Sequence, residues 1–340
     1  MVWEMKIVIS KDKTTILKGI AILFMILHHV LIKEFYMNPP EILSSLPAIR
    51  IQIAMKMCVG IYTFFIGYGF WFCSMYGAKY VSTHIGKLLK QYWIVFAMLI
   101  LPISYWGEYL LDVKRLALNL FGLEHQYCLG NWYIYFYAYA LLILPLLKWW
   151  LLPQGFWRLI TAIVLFAVLR NLYSDISYCD NCFAYTQILA IGIYSAKTQV
   201  LTKWSVKIHS RLIWFILALF AVFIRCYSGA MGFTTDVVAV PLLVIAVCGL
   251  SQGHEQSRSF KVLTNLGKCS TYMWFIHCVF FSDATRNLFQ SLPIWNNSLP
   301  LIFLFVTITS YILAFVLNKA EAIIQEKIKL NNYGNRSKRP

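Results

Sequence analysis

Stretches of about 20 mostly apolar residues recur along the chain and constrain its fold more than any other feature. We predict ten of them, at 14–32, 57–76, 92–111, 131–147, 157–174, 183–196, 212–228, 234–251, 268–285 and 300–317. Only 13% of the 340 residues are charged, about half the usual share of a soluble domain. A helix of roughly 20 apolar residues satisfies its own backbone hydrogen bonds while crossing a bilayer. The sequence therefore predicts an all-α, polytopic membrane protein with about ten transmembrane helices.

The distribution of lysine and arginine predicts how these helices are oriented. Of the 30 basic residues, 21 fall on the side of the N-terminus and 8 on the opposite side. The positive-inside rule then puts both termini in the cytoplasm. The net charge of +16 is spread over short loops and a tail, as this topology requires, so nucleic-acid binding is not expected. The partner that the composition indicates is the lipid bilayer.

The chain reads as one domain of about ten helices at 1–317, followed by a basic cytoplasmic tail at 318–340. We expect the tail to form a short interfacial helix beside anionic lipid. The sixth span, 183–196, is short, and its helix is expected to begin earlier. The outward loop YCDNC contains Cys179 and Cys182, which suit a disulfide, or a metal if two more ligands are supplied. Because no completing pair stands out, no metal site is predicted.

The first span carries three ionisable residues, Lys18, His28 and His29, and such groups at membrane depth usually serve function. Lys18 and His29 are eleven residues apart and share an azimuth to within about 20°, whereas His28 points away by roughly 80°. His29 would lie about 16 Å beyond Lys18, near the bilayer midplane. An imidazole there can accept a proton from a hydroxyl. The alternative is a structural hydrogen bond to a neighbouring helix.

Two further segments place polar residues on helical faces. In HIGKLLKQYW, the residues His84, Lys87 and Lys90 recur every three positions; if helical, they share a face that suits phosphates, although ordinary topological charge is the alternative. In LGKCSTYMWFIH, Ser270 and His277 are seven residues apart and face the same way. Since His277 has a depth similar to that of the histidine in the first span, either a shared polar cavity or a structural interhelix bond follows.

These segments, in this order, resemble membrane acyltransferase family 3, bacterial integral-membrane enzymes that O-acylate cell-envelope polysaccharides. LKGIAILFMILHH resembles the opening signature of the family, whose catalytic histidine falls eleven residues after a basic position. That spacing, counted from Lys18, selects His29. HIGKLLKQYW resembles the family's pair of arginines three residues apart, at Lys87 and Lys90. All three basic positions are lysine here, which keeps the charge but lacks the bidentate fork of arginine.

Three more fragments extend the resemblance over most of the chain. GNWYIYFYAYALLILPLL resembles the entry to the family's fourth helix, at Asn131, Trp132 and Tyr133. ILAIGIYSAK resembles the glycine and following lysine of its sixth helix, at Gly192 and Lys197. LGKCSTYMWFIH resembles the pattern of its ninth helix. Five fragments in the family order, on ten predicted spans, make the resemblance fairly specific.

The resemblance implies transfer of an acyl group, most often acetyl, from cytoplasmic acetyl-CoA or another acyl-CoA to a hydroxyl of a polysaccharide or its precursor. It also implies a multi-pass protein of the bacterial inner membrane. His29 would deprotonate the acceptor hydroxyl or relay its proton, and Lys18 would guide the donor or tune the pKa of His29. Lys87 and Lys90 would hold the phosphates of CoA. The candidate cavity residues are Trp132, Ser270 and His277. No metal is implied.

Two other functions remain consistent with the residues alone. A transporter or flippase of a small anion or glycolipid would also use buried histidines and basic side chains. Against it, the sequence has no repeated half and few Gly/Pro interruptions at matched positions. A non-catalytic membrane sensor that keeps the fold is the third possibility.

Overall fold

The chain is helical throughout the part for which the structure, a computed structural model, describes the backbone. That part is residues 9–336 except 37, 108–111, 154, 206–207, 209, 229–231 and 297. Helical residues make up 82% of the structure, and the described residues contain no strand. The all-α prediction is confirmed.

The helices of the first half are α1 (Lys11–Val30), α2 (Leu46–Met55), α3 (Met57–Trp71), α4 (Ala78–Val95), α5 (Leu101–Trp106), α6 (Val113–Leu120), α7 (Trp132–Leu151) and α8 (Phe156–Leu172). A π-helical turn at Phe96–Ile100 joins α4 to α5. The helices of the second half are α9 (Ser177–Thr198), α10 (Val200–Ser205), α11 (Arg211–Tyr227), α12 (Gly232–Ser251), α13 (Arg258–Cys278), α14 (Arg286–Gln290) and α15 (Leu299–Arg336).

Among the described residues, five helical stretches are long and apolar enough to cross a membrane. They are Lys11–Val30, Leu46–Trp71, Ala78–Trp106, Leu129–Leu151 and Leu299–Lys327. The other five predicted spans also coincide with helices, namely α8, α9, α11, α12 and α13, which are shorter or more polar. Two ends of the predictions, 108–111 of the third span and 337–340 of the tail, lie outside the described residues.

Several predicted boundaries differ from the observed ones. The segment HIGKLLKQYW is not a separate connection, because α4 starts at Ala78 and carries it into the third span without a break. Helix α13 starts ten residues before the predicted 268 and ends at Cys278, after which the chain turns. Helix α15 continues to Arg336, so the expected interfacial helix is the extension of the last span.

Helix α9 begins at Ser177, which confirms the early start expected for the sixth span. Cys179 and Cys182 therefore lie in the first turns of a helix rather than in a loop. Both are free thiols. The predicted loop is therefore the first turns of α9, and the structure does not join the two thiols.

Helix α1 packs along α13, and two glycines set how closely. A Cβ atom on Gly19 would overlap the carbonyl oxygen of Leu263, and one on Gly267 would overlap that of Thr15. The two backbones are therefore in direct contact, as is common where small residues line a helix interface in a membrane. His29 and His277 each lie ten residues after the glycine of their own helix, about 15 Å along it. The crossing thus sets both histidines at one level.

The other half of the bundle uses the same kind of contact. Helix α3 packs on α9, where a Cβ on Gly192 would overlap the carbonyl oxygen of Phe64. Helices α11 and α12 form a hairpin that buries an ion pair, with Arg225 Nε 2.7 Å from Asp236 Oδ1. Lys197, at the end of α9, donates to the carbonyls of Leu151 at 2.6 Å and Pro153 at 2.7 Å, beyond the end of α7.

Candidate active site

A pair of imidazoles from α1 and α13 forms the centre of the candidate site. His29 Nδ1 lies 2.6 Å from His277 Nε2. The two rings are inclined by 14° with their centroids 4.8 Å apart. Nearly coplanar rings at this separation meet edge to edge, so one N–H points along its own ring plane at the lone pair of the other ring. This is the geometry of a hydrogen bond.

The backbone of α13 assigns the protons of this histidine pair. His277 Nδ1 lies 3.0 Å from the carbonyl oxygen of Met273, which can only accept, so Nδ1 of His277 carries a proton and donates it. Its Nε2 is then an acceptor when the ring is neutral. His29 must donate from Nδ1, and its Nε2 keeps a free lone pair. This nitrogen makes no hydrogen bond to the described residues, so it is available as a base.

His28, the neighbour of His29, points elsewhere, as helical geometry predicts. Its Nδ1 lies 2.8 Å from the carbonyl oxygen of Gln52 on α2. The ring of His28 therefore ties α1 to α2, whereas His29 faces α13. Phe35 and Phe281, which follow α1 and α13, flank the His29 ring with centroids 5.6 Å and 6.1 Å from it.

A cavity of about 440 Å³ lies on the side of the histidine pair nearer the starts of α1 and α13. Its volume is within the range of small-molecule sites, about 300–1,000 Å³. The cavity is lined by Thr14, Lys18, Tyr62, Phe65, Ile66, Gly69, Phe70, Tyr80, Thr83, His84, Lys87, Leu88, Gln91, Tyr133, Tyr137, Leu141, Ser270, Thr271, Trp274 and Phe275. Thr83 and Lys87 are exposed, so the cavity reaches the surface at this end.

Three of the predicted site residues meet in this cavity. Lys18, from α1, is half-buried, Lys87, from α4, is exposed, and Ser270, from α13, is buried. The two lysines belong to different helices and line the same space, and no aspartate or glutamate lines it among the residues that the structure describes. A cavity with two cations and no lining carboxylate suits an anionic ligand.

Lys90 does not line the cavity. Its Nζ donates to Glu321 Oε1 of α15 at 3.0 Å, and the same carboxylate accepts from Gln91 Nε2 at 3.3 Å and from the Tyr272 hydroxyl at 3.0 Å. Each step of three residues turns a helix by 300°, so Lys90 is about 120° away from His84. The predicted common face therefore holds for His84 and Lys87 only.

Trp132 lies outside the cavity as well. Its ring stacks on that of Tyr185, with centroids 6.0 Å apart, and the next residue, Tyr133, lines the cavity instead. Helix α7 begins at Trp132, and successive positions on a helix differ by 100°. The motif GNWYIYFYAYALLILPLL therefore identified the correct helical turn, but the cavity residue is Tyr133 rather than the predicted Trp132.

Sequence reasoning missed the aromatic lining and the carboxylate of Glu321. Tyr62, Tyr133 and Trp274 stand in runs of apolar and aromatic residues, where nothing separates a cavity wall from an interface anchor. Glu321 has a signal, because it is the first acidic residue of α15 after 22 residues. A carboxylate that ends so long an apolar run predicts a partner.

The histidine pair and Cys278 form the one group of possible metal ligands found in the part of the chain that the structure describes. His29, His277 and Cys278 offer ligand atoms within 4.8 Å of one another, and imidazole with thiolate is a donor set for zinc. However, two nitrogens bound to one tetrahedral zinc are about 3.3 Å apart at the usual bond length. The observed 2.6 Å, with both nitrogens in line, fits a shared proton rather than a shared metal ion.

Comparison with known proteins bears directly on this arrangement. None of the curated proteins and none of the solved structures compared with the chain matches it significantly. The family model Acyl_transf_3, described as an acyltransferase domain, matches residues 14–319. This range runs from the first turn of α1 to the middle of α15 and includes both histidines and the whole cavity. The chain therefore belongs to the Acyl_transf_3 family and is a multi-pass membrane acyltransferase that transfers groups other than aminoacyl groups.

Proposed function

We propose that this acyltransferase moves an acyl group, with acetyl the expected one, from cytoplasmic acyl-CoA to a hydroxyl of a cell-envelope polysaccharide or its precursor. The proposed setting is the bacterial inner membrane, crossed about ten times with both termini in the cytoplasm, in keeping with the 21 and 8 basic residues on the two sides. The observation that carries the proposal is the 2.6 Å contact of His29 with His277, directly beyond a cavity that holds two lysines.

The donor enters the cavity from the end where Thr83 and Lys87 are exposed. Lys87 binds phosphate groups of CoA at this mouth, and Lys18, deeper on α1, binds the donor further in. The pantetheine arm follows the cavity toward the histidine pair. Lys90 contributes less to donor binding than the resemblance implied, since its ammonium group is already paired with Glu321.

The acceptor hydroxyl reaches His29 from the opposite end, where Phe35 and Phe281 flank the ring. His29 Nε2 takes the hydroxyl proton while the oxygen attacks the thioester carbonyl. A carbon–oxygen bond forms, the carbon–sulfur bond breaks, and the CoA thiolate leaves with the proton that His29 returns. Donor and acceptor stay on their own sides of the membrane, and only the acyl group crosses.

His277 acts through His29 and is a positioning residue. The hydrogen bond from His29 Nδ1 holds the imidazole in the tautomer whose Nε2 is basic. It also stabilises the positive charge that the His29 ring acquires when it takes the proton. An aspartate does the same for the histidine of a serine protease.

The test of this function uses the two adjacent histidines as target and control. His29→Ala should lower transfer from labelled acetyl-CoA by about 10²-fold or more, whereas His28→Ala should keep most of the rate and lose some stability with the bond to Gln52. Both proteins should insert and remain monodisperse in detergent. Mass spectrometry of envelope glycans, with and without the gene, would identify the acceptor. An active His29→Ala beside an inactive His28→Ala would overturn the mechanism.

A further inference from the structure

The carboxylate of Glu321 receives four hydrogen bonds from the described part of the chain, where α4, α13 and α15 meet. Its Oε1 accepts from Lys90 Nζ at 3.0 Å and from Gln325 Nε2 at 3.1 Å. Its Oε2 accepts from Gln91 Nε2 at 3.3 Å and from the Tyr272 hydroxyl at 3.0 Å. An ionised carboxylate has about four lone-pair positions and no proton. Each partner of Glu321 must therefore present a donor to it.

This carboxylate fixes which way the side-chain amide of Gln91 points. Of the two polar atoms of the amide, Nε2 donates and Oε1 accepts. Only Nε2 can face Glu321, because a second acceptor in that place would repel the carboxylate. Within the part of the chain that the structure describes, Gln91 Oε1 makes no hydrogen bond. Since Gln91 also lines the cavity, Oε1 is the polar atom that this residue offers to a bound ligand.

Gln91 lies at the inner end of the cavity wall that α4 forms. The lining residues of α4 begin at Tyr80 and end at Gln91. The cavity opens where Thr83 and Lys87 are exposed, whereas Gln91 is buried. Side chains four residues apart lie on the same face of a helix. A ligand that enters past Lys87 therefore meets Gln91 on its way inward.

We infer that Gln91 Oε1 accepts a hydrogen bond from an amide N–H of the pantetheine arm of the donor, and that Glu321 is the positioning residue that turns the Gln91 amide for this contact. The inference rests on the proposed use of acyl-CoA. In acyl-CoA the arm lies between the phosphates and the thioester, and its two amides carry N–H groups. The lysines of the cavity can only donate and its hydroxyls can do either, whereas Gln91 Oε1 can only accept. An N–H of the arm is the partner that this oxygen needs.

Ligands that lack a single N–H test this hydrogen bond on the native protein. The dissociation constants of CoA and of two analogues, each with one amide N–H replaced by an ester oxygen, are measured by calorimetry on the whole protein in nanodiscs. We expect at least one analogue to bind about 10-fold more weakly than CoA, because its ester oxygen leaves the buried Gln91 Oε1 unpaired. Equal binding of all three ligands overturns the inference and leaves the proposed donor intact. No binding of CoA overturns the proposed donor and the inference with it.

Substitution of Gln91 assigns the difference between these ligands to its side chain. Gln91→Leu should bind CoA about 10-fold more weakly than the native protein does and should no longer distinguish CoA from the ester analogues. It should bind adenosine 3′,5′-bisphosphate, which has phosphates and no arm, as the native protein does. Gln325→Leu is the matched control, because it removes another hydrogen bond to Glu321 from an exposed residue outside the cavity lining, and it should keep the preference. A folded Gln91→Leu protein that still prefers CoA to both analogues contradicts the inference.

Glu321→Gln tests the positioning role and also serves if Gln91→Leu does not fold. A carboxamide at this position can donate as well as accept, so either atom of the Gln91 amide can face it. The preference for CoA over the ester analogues should therefore fall, while the binding of adenosine 3′,5′-bisphosphate should stay unchanged. A Glu321→Gln protein with the full native preference contradicts the positioning role.

Discussion

The role of His277 depends on which of its two ring nitrogens carries the proton. Its Nδ1 proton is committed to Met273, so its Nε2 can only accept, and this fixes the ring of His29. Within the part of the chain that the structure describes, neither histidine is hydrogen-bonded to an aspartate or glutamate. The pair therefore reaches a defined tautomer with neutral rings, which suits the interior of a bilayer better than a carboxylate does.

We expect His277→Ala to lower kcat by about 10²-fold and to leave the KM for acyl-CoA nearly unchanged, because the cavity does not include this residue. His277→Gln offers an amide oxygen to the N–H of His29 and should recover part of the rate. Steady-state kinetics of both variants checks this. Equal kcat values for His277→Ala and the native protein, or equal losses for Ala and Gln, would contradict the positioning role.

Lys87 and Lys90 of α4 should differ in their effect on donor binding although they are three residues apart. Lys87→Ala removes a charge that faces the cavity, so the KM for the donor should rise, by about 10-fold for a phosphate contact of 1–2 kcal/mol. Lys90→Ala should leave the KM unchanged. The side chain of Lys90 is 47% exposed, and an exposed ion pair contributes about 0–1 kcal/mol to stability.

Donor titrations of the two lysine variants, with thermal unfolding as the check on folding, measure this difference. A KM that rises in Lys90→Ala and not in Lys87→Ala would reverse the assignment. Lys87→Arg should retain binding, since the charge is kept and the guanidinium adds a second donor for phosphate.

At the scale of helices, the contact of α1 with α13 determines the site. Gly267→Ala places a Cβ against the carbonyl oxygen of Thr15, so the helices must separate. We expect a loss of about 1–3 kcal/mol in stability, as for other overpacked interfaces, and a larger loss of activity as the histidines move apart. Thermal unfolding in detergent and the acetyl-transfer assay measure the two effects.

The matched control is Gly86→Ala in α4, where an added Cβ meets nothing within 4 Å. Alanine is favoured over glycine inside a helix by about 0.5–1 kcal/mol, so this variant should be as stable as the native protein or more so. If both variants unfold at the native temperature with native activity, the close contact of α1 with α13 does not set the geometry.

The sequence alone predicts how side chains are arranged around a single helix, but not which residues of other helices they contact. The shared azimuth of Lys18 and His29, and the different direction of His28, follow from 100° per residue alone, and the structure shows both facing as expected. Which residue α1 meets depends on packing. His277 was placed at a similar depth, but its 2.6 Å contact results from two glycines whose meeting no local pattern reveals.

The partner of Lys90 shows the same limit. Positive-inside charge and a phosphate site look identical in a sequence, because both need only lysine near a helix end. Glu321 distinguishes them here, and it lies 231 residues away. The helix starts at Ala78 and Arg258 come earlier than predicted for another reason. Hydropathy marks where a chain enters lipid, whereas a helix continues for as long as its backbone hydrogen bonds do.

At the scale of the whole molecule, the site exists only once the bundle is complete. His29 and His277 are 248 residues apart in the chain, and the cavity takes its aromatic residues Tyr62, Tyr133 and Trp274 from three different helices. The family match over residues 14–319 covers this entire set. A fragment lacking α13 would retain the lysine of α1 and the base, but not the residue that orients it.

The proposed topology can be tested by labelling intact cells. In a protein without native cysteines, Lys203→Cys should resist an impermeant maleimide, because the proposed topology puts α10 on the cytoplasmic side. Glu41→Cys, between α1 and α2, should react from outside. The expectation that the two sites lie on opposite sides of the membrane rests on the distribution of basic residues, 21 on one side and 8 on the other. If Lys203→Cys is labelled from outside and Glu41→Cys is protected, the protein has the opposite orientation in the membrane.

Helices α1 and α13 cross at Gly19 and Gly267, and any change in their angle pivots about this contact. Each imidazole lies about 15 Å along its helix from the crossing. A change of about 4° in the crossing angle therefore displaces a ring by about 1 Å, enough to break the hydrogen bond between His29 and His277. Helices tilt when their apolar length and the bilayer thickness differ. A bilayer whose thickness altered this crossing angle would therefore weaken the hydrogen bond between His29 and His277.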